Sequence, residues 1–159
     1  MSCLCGGIKT GIRELSFLTV SATMNLCKHS FVMRIASLNV QNLKLQRFKG
    51  QTQLHGAWDS DAPEDPSLDL IDRRLTGELL AEINADVVAL QEVFDLETLD
   101  YFHNKFLVPT GTEPYPHRAC IAGNDGRGLD VALISRHPLS FIKSHASLKL
   151  ADVGIEPPD

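Results

Sequence analysis

Two short runs of this chain are apolar on both sides of an extended backbone. They are Arg34 to Val40, carrying Ile35, Ala36, Leu38 and Val40, and Val87 to Leu90. A strand of that kind belongs inside a layered fold, where both of its faces are covered. Between the two runs, Leu68, Ile71, Leu75, Leu79, Leu80 and Ile83 recur at intervals of three and four. Asp72, Arg73, Arg74, Glu78 and Glu82 fall on other faces, so the spacing predicts an amphipathic helix. The order is strand, helix, strand.

The rest of the chain extends that order. Asn84 and Asp86 mark the helix exit, and Asp95 can cap a second helix running to about Leu107, with Leu96, Leu99, Phe102 and Phe106 on its buried side. Tyr115 to Ile121 and Leu129 to Ser135 read as the two strands of a hairpin around the glycine-rich segment from Gly123 to Gly128. Pro138 ends the second of them, and Leu139 to Leu150 suggests one more strand. Gln41 to Ser67 has no period, and Gly56, Pro63 and Pro66 punctuate an acidic stretch around Asp59, Asp61, Glu64 and Asp65, which reads as a long functional or disordered loop.

A chain of 159 residues is one domain by length. Lys and Arg number 15 against 20 Asp and Glu, so the chain lacks the basic footprint of a non-specific nucleic-acid binder. A phosphate-bearing substrate would then need a local device such as a metal ion. Cys3, Cys5 and Cys27 crowd the first 32 residues and leave Cys120 alone, which is no disulfide framework and too few ligands for structural zinc.

The run from Leu15 to Leu26 is broken by Ser, Thr and Glu14 at its edge, so a secretory signal is the weaker reading of it. Residues 1–32 are expected to be an extension outside a domain that spans 33–159. No run approaches the length of a membrane span, and a cytoplasmic location is expected, or secretion if residues 1–32 act as a signal.

Glu92 is the residue that most needs a chemical explanation. It closes the strand Val87-Val-Ala-Leu90, where an unpaired carboxylate is costly. Either it is exposed or paired with an arginine, or it holds a divalent cation, since magnesium takes oxygen ligands and needs only one or two protein carboxylates beside a phosphate. Asn39 ends the first strand in a similar way. Its amide either orients a phosphate oxygen or makes a local turn.

Three segments together carry a resemblance. They are Ile35-Ala-Ser-Leu-Asn-Val-Gln-Asn-Leu43, Ala85-Asp-Val-Val-Ala-Leu-Gln-Glu-Val93 and Gly126-Arg-Gly-Leu-Asp-Val-Ala-Leu-Ile-Ser-Arg-His-Pro138. In order and spacing they resemble successive motifs of the endonuclease/exonuclease/phosphatase (DNase I-like) superfamily. The resemblance covers about residues 33 to 145. It implies a four-layer α/β sandwich of two sheets flanked by helices, of which this chain supplies about the first half.

The resemblance further implies a magnesium-dependent hydrolase, with manganese as a substitute, acting on a phosphodiester or phosphate ester that includes nucleic acid among its options. Glu92 becomes the metal ligand and Asn39 an active-site residue, catalytic and beside the metal. Some relatives carry an acidic residue where this chain has Gln41. Arg127 and Asp130 become candidate substrate contacts, with a hairpin turn and a local salt bridge as the plain alternative.

Family members also carry a downstream Asp-x-Asn pair, a further His or Tyr and a terminal Asp-His pair, and none of these motifs occurs in this chain. The expectation is therefore a truncated and inactive hydrolase. The alternative is a non-catalytic fragment or interaction subunit that associates with itself through an exposed sheet face.

Overall fold

The computed structural model describes residues 17–26, 29–56 and 66–155. Strands β1 (Phe17–Leu26), β2 (His29–Leu43), β3 (Leu45–Phe48) and β4 (Gln51–Leu54) precede helix α1 (Pro66–Ile83). Strand β5 (Val87–Val93) and helix α2 (Leu96–Phe102) follow, then a π-type turn at His103–Leu107 and a 3-10 turn at Val108–Thr110. Strands β6 (His117–Ile121) and β7 (Asp130–Ser135) complete the sheet, in the order β1-β2-β5-β7-β6, while β3 and β4 form a separate ribbon.

Only β2 and β5 pair in parallel, with Ile35 opposite Val87 and Asn39 opposite Gln91; the other described pairs are antiparallel. A parallel pair requires a crossover, which α1 supplies. The result is a mixed sheet with helices, an α+β domain, and among the described residues no helix is long and apolar enough to cross a membrane.

One face of the sheet forms the core. Ala36, Leu38 and Val40 of β2, Val88, Leu90 and Val93 of β5, and Ala132 and Ile134 of β7 pack with Leu80 of α1 and with Leu99, Phe102, Leu107 and Tyr115. Asp95 caps α2 as expected, its Oδ1 accepting the Thr98 amide at 2.7 Å. The opposite face departs from the two-sided burial read from sequence. Val131 is 59% exposed, and Phe141 borders an open groove of about 570 Å³ over Ala89, Gln91 and Leu133.

Three further differences have local causes. The buried stripe of α1 is Asp69, Arg73, Thr76, Gly77 and Leu80, whereas Leu70, Ile71 and Leu75 are exposed. The helix stands where its period placed it, but it is rotated so that its polar residues grip the 40–55 segment. That segment holds the β3–β4 hairpin where a structureless loop was expected, and Lys49 (φ 48°) and Gly50 (φ 81°) form its turn in the doubly left-handed conformation that tight hairpins favour.

No strand forms over Leu139 to Leu150, because the segment beyond Pro138 finds no ladder partner among the described residues, and Phe141, Ile142 and Leu148 stay exposed. The ladder between β1 and β2 runs from Phe17–Leu38 to Leu26–His29. The acidic stretch from Asp59 to Asp65 lies outside the described residues.

Candidate functional site

Strands β2 and β5 both lose their alternation at the same end of the sheet. In β5, Leu90 and Val93 are buried with two half-buried residues between them, and Glu92 has φ 64°. In β2, Val40 and Leu43 are buried with Gln41 (φ 48°) and Asn42 (φ 51°) between them. The register accordingly shifts between Asn39–Gln91 and Leu43–Val93, so that three residues of β2 stand opposite one of β5. Simple alternation would send Glu92 to the same side as Leu90. The bulge instead turns it toward Asn39.

The two side chains meet there. Asn39 Nδ2 donates to Glu92 Oε1 at 2.9 Å, and the Asn42 amide donates to Glu92 Oε2 at 3.1 Å. Asn39 Oδ1 in turn accepts the Gln41 amide at 2.8 Å, so the side chain makes both the local turn and the bridge to Glu92. Beyond the bulge the strands rejoin through the Phe94 amide and the Leu43 carbonyl at 3.1 Å. Three non-glycine residues at positive φ around one carboxylate are a concentration of backbone strain of the sort that collects at functional sites.

Arg127 and Asp130 occupy the β6–β7 hairpin. Arg127 Nη2 binds Asp125 Oδ2 at 2.7 Å, and the side chain is 75% exposed. Hydrogen bonds from the Arg127 side chain and backbone hold the Asp125 carboxyl down at about 2. The same bond and charge of Asp125, and more weakly Glu92, push the Arg127 pKa up. Asp130 Oδ1 accepts the Gly123 amide at 2.6 Å and closes the hairpin. The structure thus joins Asn39 to Glu92 directly, while the hydrogen bonds of Arg127 and Asp130 lie within the hairpin.

Sequence reasoning missed Arg73. Its guanidinium is fully buried and donates to the carbonyls of Val40 and His55 at 2.5 Å and of Gln41 at 2.7 Å. Desolvation lowers its pKa to about 10, with Asp72 and Asp69 opposing that shift, so it remains a cation at neutral pH. The apolar period placed Arg73 on another face than the apolar stripe; the available counter-signal was a loop downstream of Asn39 whose backbone carbonyls needed a donor.

The sequence model of the Endonuclease/Exonuclease/phosphatase family matches residues 36–156, most of the chain. The chain belongs to that family. No curated protein and no solved structure matches it. Endonuclease/exonuclease/phosphatase members are hydrolases of the nuclease and phosphatase type, generally dependent on a divalent metal, and phosphodiesters such as nucleic acid are among their substrates.

The donor set at Glu92 fits such an ion. Each carboxylate oxygen accepts one hydrogen bond and keeps a further lone pair, the carboxylate is half-buried, and magnesium is held in enzymes by one or two carboxylates completed by water and phosphate. Among the described residues no group of three or more His, Cys, Asp or Glu side chains is clustered for a metal.

Proposed function

We propose that this chain carries the metal-anchoring part of a phosphodiester hydrolase site, with Glu92 as the ligand for Mg2+ or Mn2+. The observation that supports it is the paired bulge, which aims the Glu92 carboxylate at Asn39 and gives each of its oxygens one fixed donor. When bound, the ion supplies neutralisation of the phosphate charge and stabilisation of the leaving oxygen.

The chain's own residues hold the ion and meet the substrate in this reading. Glu92 is an anchor, not a base, because in this reading the lone pairs left free by Asn39 and the Asn42 amide are taken up by the ion. Asn39 holds that carboxylate in one orientation through one N–H of its amide, and the second N–H is the donor it can offer to the substrate phosphate. Arg127, on the exposed rim of the hairpin, draws in the anionic substrate by exchanging Asp125 for a phosphate oxygen. Asp130 acts indirectly, by holding the loop that presents Arg127.

The metal reading is tested by equilibrium titration of the full chain with Mn2+. The parent is expected to bind a single ion weakly, and Glu92→Ala to show no saturation over the same range. Equal binding by the variant would remove Glu92 from the metal site.

A further inference from the structure

The geometry points to Arg73 as a positioning residue for the metal anchor, an inference that rests on the reading of Glu92 above. Its basis is the rigidity of two peptide groups. The Val40 carbonyl and the Gln41 amide are opposite ends of one planar unit, and the Gln41 carbonyl and the Asn42 amide are opposite ends of the next. No cis peptide occurs among the described residues, so in each unit the C=O and the N–H point in opposite directions.

Arg73 holds the carbonyl end of both units, through Nη1 to Val40 at 2.5 Å and Nη2 to Gln41 at 2.7 Å. The amide ends are the donors to the site. The Gln41 N–H meets Asn39 Oδ1 at 2.8 Å and the Asn42 N–H meets Glu92 Oε2 at 3.1 Å. A turn of the guanidinium fork is therefore transmitted through a single peptide plane to the metal-ligating carboxylate, and through the other to the amide that orients it.

The choice of arginine follows from the task. Gln41 and Asn42 sit at φ 48° and 51°, a conformation uncommon outside glycine that asparagine tolerates and glutamine holds at a cost, so two such residues in succession need support from their surroundings. A planar fork with five fixed donors can fix several carbonyls at once, which a lysine ammonium on a flexible stem cannot. Arg73 uses its third edge on the His55 carbonyl, through Nε at 2.5 Å, and so ties the end of the β3–β4 hairpin to the same frame. Neighbouring Asp69, also on the buried stripe, accepts Gln46 Nε2 at 2.9 Å and keeps α1 seated over that ribbon.

The test uses the full chain and Arg73→Lys, which preserves the charge and removes the fork. With far-UV circular dichroism unchanged, Mn2+ affinity is expected to fall by about tenfold or more, the range seen when the partners of metal-ligating groups are lost. Hydrogen exchange at the Asn42 amide is expected to accelerate by at least about tenfold, with or without metal. Adding Gln41→Gly and Asn42→Gly to Arg73→Lys should recover part of the Mn2+ affinity, because glycine takes positive φ without steric cost.

Unchanged affinity in a folded Arg73→Lys protein, or no recovery with the glycines, overturns the positioning role. Asn42 exchange indifferent to Arg73→Lys overturns it independently of any metal. Failure of the metal reading shows differently, as Mn2+ binding that ignores Glu92→Ala. Should Arg73→Lys not fold, exchange in the unaltered chain decides: Arg73 Nε–H and the Asn42 amide are expected to be protected together, and an Asn42 amide exchanging freely beside a protected Arg73 counts against the proposal.

Discussion

Purified chain 1–159 is expected to hydrolyse no chromogenic phosphodiester above background with either Mg2+ or Mn2+. The site around Glu92 offers one carboxylate, one side-chain amide and one backbone amide. That set can hold an ion loosely, but it contains no group free to take a proton from water. Where catalytic groups work as a unit, loss of one can cost about as much as loss of all, on the order of a millionfold in rate. Metal-dependent turnover that disappears in Glu92→Ala would mean that these few groups suffice for catalysis.

Replacing Gly77 with a large side chain is expected to produce the largest loss of stability at the helix interface. A Cβ built on Gly77 lies 2.6 Å from the Phe106 carbonyl oxygen and 3.0 Å from its carbon, both backbone atoms of the π-type turn that cannot swing aside. Alanine in a helix interior gains about 1 kcal/mol over glycine. Forcing one methyl into a packed contact costs about 1–3 kcal/mol, so Gly77→Ala comes out neutral to destabilising despite its better propensity.

Gly77→Leu adds three more carbons to the same contact. It should cost at least about 3 kcal/mol. For a chain of this size that lowers Tm by roughly 6–12 °C, readable by thermal denaturation. A leucine variant melting at or above the parent temperature would show that α1 and the 103–107 turn do not meet as described.

These two expectations draw on parts of the molecule that were unequally visible in the sequence. Apolar runs and a helical period located β2, α1 and β5, because burial of one face leaves a periodic trace in the chain. Motif order brought Asn39 and Glu92 into one site, and parallel pairing of the strands that carry them joins the two side chains by a hydrogen bond.

The rotation of α1 was not visible, since period reports that a stripe exists and not which stripe a polar network will claim. Arg73 and Asp69 are buried at the expense of Ile71 and Leu75 because they satisfy backbone and side-chain groups of the 40–55 segment. The β3–β4 ribbon escaped for the opposite reason. Its strands have four residues each and are largely polar, so only the Lys49-Gly50 turn could have betrayed them. The bulges leave only a faint trace in the sequence, because Asn42 is a residue that tolerates positive φ whereas Gln41 and Glu92 are not, and none of the three is glycine.

The measurement that bears most directly on the central claim is paramagnetic broadening by substoichiometric Mn2+ in the isotope-labelled chain. The amide signals of Asn39, Asn42, Gln91 and Glu92 are expected to broaden first, and Glu92→Ala is expected to erase the pattern. Broadening centred on Asp125 or on the acidic stretch from Asp59 to Asp65, with the Glu92 amide left sharp, would contradict it.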